Sequence, residues 1–173
     1  MSGERVRGFG NRWLVTAHVH NTVATSSGAT YAAGDLVGTK MTFEDVIPED
    51  YGGGSIRSVR LIDYNDQMAA MDLLLFNDDI TSGTGAGTNW ATGDNVALDV
   101  ADSDLTSLVA AISIGTGDYK SFADNAVAEV EVDIPFYMEG TRKLYGLLVA
   151  RGTSAFASTD DLIVTIGVER DAN

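Results

Sequence analysis

Alternation of apolar and polar residues at a spacing of two is the feature that most narrows the folds open to this chain. Leu162, Val164, Ile166 and Val168 fall on one face of the segment 162–169, the pattern of a half-buried strand whose successive side chains point to opposite sides. Residues 126–133 repeat it and gather Glu129, Glu131 and Asp133 on the side meant for water. In 13–20, Trp13, Val15, Ala17 and Val19 alternate with Leu14, Thr16, His18 and His20. Further strands are expected at 56–64, 71–76, 96–99 and 144–151, with shorter ones near 35–37 and 40–43. Segments rich in Gly, Ser, Thr, Asn and Asp separate them, at 21–30, 51–55, 77–89, 115–118 and 152–161. One segment reads as helical. In 102–111, Leu105, Leu108 and Val109 sit at i, i+3 and i+4, with Asp102 as the N-cap and Asp104 in the first turn. Eight or nine short strands with one short helix imply an all-β domain built as a two-sheet antiparallel β-sandwich.

The strand expected at 144–150 is apolar on both faces, because Tyr145, Leu147 and Val149 alternate with Leu144, Leu148 and Ala150. Such a strand is either central and covered twice, or it packs against another subunit. The expectation taken here is a subunit contact through Tyr145, Leu147 and Val149, since a plain sandwich leaves one sheet face wet.

Charge adds an asymmetry. The chain carries 25 acidic residues against 11 Lys and Arg, a formal net charge of −14. Residues 78–139 hold twelve acids and one base, Lys120, whereas residues 1–12 hold Arg5, Arg7 and Arg12 against Glu4. The expected organisation is therefore a basic N-terminal arm, 1–12, before a single β-sandwich domain, 13–173. The arm is expected to dock through its three arginines, with a solvated, frayed terminus as the plain alternative. So acidic a surface repels nucleic-acid phosphates and anionic membranes, so neither is an expected partner. No apolar stretch has the length of a signal-peptide core or a membrane span, and synthesis in a cytoplasm is expected.

Chemistry is sparse. With no Cys there is no disulfide frame, no cysteine zinc site and no thiol nucleophile. His18 and His20 share a strand face and suit a pair of metal ligands, but a mixed polar surface explains them as well. The stretch 83–88, Gly-Thr-Gly-Ala-Gly-Thr, lacks the Lys-Ser/Thr of a phosphate loop and reads as a surface loop. Asp99, Asp102 and Asp104 offer oxygens to Ca²⁺ but miss the spacing of a calcium loop. Glu129, Glu131 and Asp133 project side by side, unlike glycosidase carboxylates that face each other across a cleft. No Gly-x-Ser-x-Gly elbow occurs. The expectation is a non-enzyme with no catalytic residues, no metal and no cofactor. Residues 31–37 and 90–96 share the pattern aromatic-Ala-x-Gly-Asp-x-Val, explained as two turns that each lead into a strand.

Taken in order, Tyr31-Ala-Ala-Gly-Asp-Leu-Val-Gly38, Ser55-Ile-Arg-Ser-Val-Arg-Leu-Ile-Asp63, Met71-Asp-Leu-Leu-Leu-Phe76, Leu144-Tyr-Gly-Leu-Leu-Val-Ala-Arg-Gly-Thr153 and Leu162-Ile-Val164 resemble the small structural proteins of tailed bacteriophages that decorate or cement the capsid shell. The resemblance covers about residues 31–170 and rests on order and spacing. It implies a jelly-roll-like sandwich on the outer capsid surface of the virion, bound to the major capsid protein and self-associated as a dimer or trimer. It carries no catalytic motif. A carbohydrate-binding sandwich, such as a receptor-binding tip with Trp90 as its stacking platform, is the second expectation.

Overall fold

The computed structural model describes residues 6–7, 13–23, 28–48, 51–80, 94–156 and 161–170, with backbone alone for 6–7 and 13–23. Twelve strands are found among them: β1 (Val6–Arg7), β2 (Trp13–Val23), β3 (Thr30–Tyr31), β4 (Met41–Phe43), β5 (Tyr51–Asp63), β6 (Met71–Phe76), β7 (Leu108–Ile114), β8 (Tyr119–Phe122), β9 (Asn125–Glu139), β10 (Leu144–Ala150), β11 (Ser154–Ala155) and β12 (Leu162–Arg170). One sheet runs β1-β2-β12-β5-β9-β8 and the other β4-β10-β6-β7, while β3 and β11 form a small ribbon. Every pairing is antiparallel. Counting only the main strands β2, β4, β5, β6, β7, β9, β10 and β12, the sheets read 1-8-3-6 and 2-7-4-5. That order is a jelly roll, the double-sheet architecture of eight strands in two Greek keys.

The alternation explains why these strands face each other. From one sheet, Ile56, Val59, Leu61, Leu162, Val164, Ile166 and Val168 point inward; from the other come Met41, Phe43, Met71, Leu73, Leu75, Ile112 and Ile114. They share one buried cluster, and Glu129, Glu131 and Asp133 lie exposed on the far side of β9 as their spacing requires. Arg170 ties the end of β12 to the turn after β4, its Nε donating to the Val46 carbonyl at 2.7 Å.

Three expectations are corrected. Residues 102–111 are not an α-helix: only Asp104–Ser107 form a short 3₁₀ turn, and Leu108 onward is strand β7. Pairing with β6 and burial of Ala110, Ile112 and Ile114 override the local helical spacing. Ser103, not Asp102, holds the N-cap position, and its side chain makes no capping bond. Residues 96–99 form no strand; Ala97 alone bridges to Asp35. Residues 51–55 are no break, because β5 begins at Tyr51 and its glycines allow close approach of neighbouring backbone. An ideal Cβ at Gly54 would lie 2.4 Å from the Glu169 carbonyl oxygen of β12.

Candidate functional site

The residues singled out for chemistry do not converge. Arg5, Arg12, Trp90 and the Gly-rich stretch 83–88 lie outside the described residues. Arg7 is in β1, its backbone opposite Trp13 of β2. His18 and His20 are in β2, opposite Gly167 and Thr165 of β12. Asp99 and Asp102 are exposed, and no group of three or more metal-ligating side chains occurs among the described residues. Of the acidic stripe on β9, Glu129 pairs with Arg60 at 3.0 Å, and Asp133 shares Arg57 with Glu169. These are exposed cross-strand ion pairs on a sheet surface, each worth little alone.

The apolar second face of β10 is covered by the chain itself, which corrects the expected subunit contact. Leu147 is fully buried and Val149 nearly so. Leu147 packs with Leu36, Phe76 and Ile80, while Leu74, Leu98, Val100 and Tyr145 border the cluster. Part of the cover comes from the sheet edge, where residues 34–37 run alongside β10 with Gly34 N–H donating to the Ala150 carbonyl and Val37 N–H to the Leu148 carbonyl, both at 2.8 Å, and the rest comes from residues 77–80 and 94–101. The two similar heptapeptides explain how. Leu36 N–H donates to the Val96 carbonyl at 2.8 Å, Asn95 N–H to Leu36 at 2.9 Å, and Leu98 N–H to Gly34 at 2.9 Å. So the described end of the second heptapeptide pairs against the first. Asp94 closes the cover, accepting from the Tyr31 hydroxyl at 2.8 Å and from Gly38 N–H at 2.6 Å. Tyr145 stays half-buried at the rim, with the Lys40 ammonium 5.3 Å from its ring centroid and Lys40 paired to Asp79. Burial, then the Asp79 charge, raises the Tyr145 hydroxyl above its ordinary pKa.

Among the described residues, two surface depressions stand open. A groove of about 510 Å³ is lined by Asn77, Asp78, Tyr137 and Glu139. Tyr137 is 57% exposed there, and Asn77 Nδ2 donates to its carbonyl at 3.2 Å, linking the end of β6 to β9. A second groove, of about 380 Å³, crosses the outer face of the six-stranded sheet beside Arg60, Ile62, Lys120, Phe122 and Val127. Sequence reasoning missed Tyr137 because the alternation read for this strand stopped at residue 133, whereas β9 runs on to Glu139. The signal was there in 136–138, where Tyr137 stands between two inward residues, Phe136 and Met138.

No protein-family model matches the chain, and no curated protein matches it. Among solved structures, a chain from the X-ray crystal structure of tomato aspermy virus is similar over all of this chain and 83% of that one, at 10% identity and a TM-score of 0.44. A likeness of that size transfers no function.

Proposed function

We propose that the protein is a non-enzymatic virion structural protein that binds the outside of a tailed-phage capsid, decorating or cementing the shell through contacts with the major capsid protein. The observation that carries this reading is the strand order 1-8-3-6 against 2-7-4-5, the jelly roll that the resemblance across residues 31–170 implies. Jelly rolls serve viral shells and lectins alike, and a fold alone does not fix a function; the resemblance directs the choice. The rest of the molecule suits the role. A self-covered sheet gives a rigid particle, and a net charge of −14 opposes indiscriminate association of copies. Arg5, Arg7 and Arg12 form the capsid-contacting arm in this reading. Co-sedimentation with undecorated capsids tests it: the whole chain pellets with the shells, and deletion of residues 2–12 weakens the binding. A chain that stays in the supernatant overturns the capsid reading, and unchanged binding after the deletion overturns the arm.

Carbohydrate binding is a second reading, favoured by the groove at Tyr137. An exposed aromatic ring beside an amide and two carboxylates supplies a stacking face and hydrogen-bond partners. Binding on a glycan array that Tyr137→Ala abolishes supports it; an array with no signal removes it.

A further inference from the structure

Sheets protect their edge strands with charge, proline or brevity, because an open row of N–H and C=O groups templates another strand. Most described edges of this molecule follow that rule. β1 and β4 have two and three residues, and β8 has four with Lys120 among them. Beyond its pairing with β8, β9 carries Glu129, Glu131, Asp133 and Pro135. β7 departs from it. It is the outer strand of the four-stranded sheet and seven residues long. It lies in a stretch, 105–117, without a charged residue or proline. Its one irregularity is confined to its start, between its pairings with Leu75 and Phe76, and Ala110–Ile114 run in regular register. Leu105 and Leu108 are 45% and 37% exposed just before that regular run, and Ala111 and Ser113 are exposed within it.

We infer that β7 is a pairing edge through which two copies of this chain join, antiparallel, about a two-fold axis near Ile112. A second copy fits the edge for two reasons. Copies that each carry −14 repel one another, and an uncharged strip is where they meet at least electrostatic cost; a strongly charged partner finds no counter-charge on it. The strand also suits itself: an axis at Ile112 sets Ala111 against Ser113 and Ala110 against Ile114, small against small on the outer face and apolar against apolar on the inner one. The two four-stranded sheets then become one continuous sheet of eight. This association stands whether or not the chain binds a capsid.

Light scattering on the purified chain reads the result. The expected mass is twice the 18.3 kDa of one chain. Ala111→Lys places like charges beside the axis and weakens self-association by about tenfold or more, with an unchanged circular dichroism spectrum. Should that variant misfold, cross-linking decides. The chain has no Cys, so Ala111→Cys/Ser113→Cys under mild oxidation gives a covalent dimer, whereas exposed Thr153→Cys gives none beyond collisional background. A chain that is monomeric at all concentrations overturns the inference. So does a dimer that persists in folded Ala111→Lys, or a double-cysteine variant that forms no covalent dimer.

Discussion

Asp63 shows how one buried carboxylate holds a connection in place. It ends β5 almost fully buried and accepts from the N–H groups of Asn65 at 2.9 Å, Gln67 at 2.8 Å and Met68 at 2.9 Å. Those bonds fix a turn in which Asp66 and Met68 adopt left-handed backbone, φ 49° and 48°, an unfavourable conformation for side chains of their kind. The Tyr119 hydroxyl closes the same corner by donating to the Ala69 carbonyl at 2.8 Å. Asp63→Ala leaves three donors without their acceptor and is expected to cost about 1–3 kcal/mol of stability in urea unfolding. Burial raises the Asp63 pKa above its ordinary value, and the three N–H groups oppose that rise without cancelling it. A carboxyl that holds its proton more tightly folded than unfolded contributes stability at acid pH that is lost as pH rises through its folded pKa. The stability of wild type relative to Asp63→Asn is therefore expected to fall as pH climbs above the ordinary aspartate value of about 4. A difference that stays flat or rises there contradicts this account.

Glycine positions carry the tests that belong to the strands. Gly54 faces the Glu169 backbone oxygen, which cannot move without shifting β12, whereas a Cβ at Gly146 would meet the Phe43 ring at 2.8 Å and the flexible end of Met41 at 3.3 Å. Gly54→Ala is expected to destabilise by about 1–3 kcal/mol and Gly146→Ala by less, an order that paired thermal melts check. These glycines also show where the sequence was legible. Two strands were recovered within a residue: 162–169 by its two-residue alternation, and 71–76 as a short apolar run, since Leu73, Leu75 and Met71 face the core while Leu74 and Phe76 meet the outer cluster. The start of β5 was not, since Gly52–Gly54 have no side chains to alternate and read like a turn. β7 was misread because Leu105, Leu108 and Val109 fit a helical stripe, and only pairing with β6 decides otherwise. The cover over β10 was half legible: apolarity on both faces declared a second layer, but what supplies it lies more than forty residues away in sequence, at Leu36, Ile80 and Leu98. The groove at Tyr137 was not foreseen, for it joins the ends of β6 and β9.

At the scale of the molecule, long-range pairing dominates. β12 lies between β2 and β5, with Leu162 opposite both Val23 and Asp63. Topologies of this kind fold slowly, because distant segments must be brought together before their contacts repay the entropy. Stopped-flow refolding is expected on the millisecond-to-second scale, and a microsecond phase carrying the full amplitude would refute that. Removing residues 162–173 takes out the strand that joins β2 to β5 and is expected to abolish cooperative unfolding. Salt acts at this scale too: added NaCl screens the repulsion between copies, so the β7 dimer tightens as ionic strength rises, where an ion-paired interface would loosen. Sedimentation equilibrium across a salt series separates the two. The place of β12 also sets a timetable for birth. At ordinary translation rates, on the order of 10 s separate the emergence of β2 from that of β12, and throughout that interval β2 and β5 wait on the ribosome with an empty slot between them. Each copy therefore completes this sheet only once β12 has emerged, and an encounter between a chain whose slot is still open and a copy whose β12 is free to enter it is the moment at which strand exchange threatens this fold most.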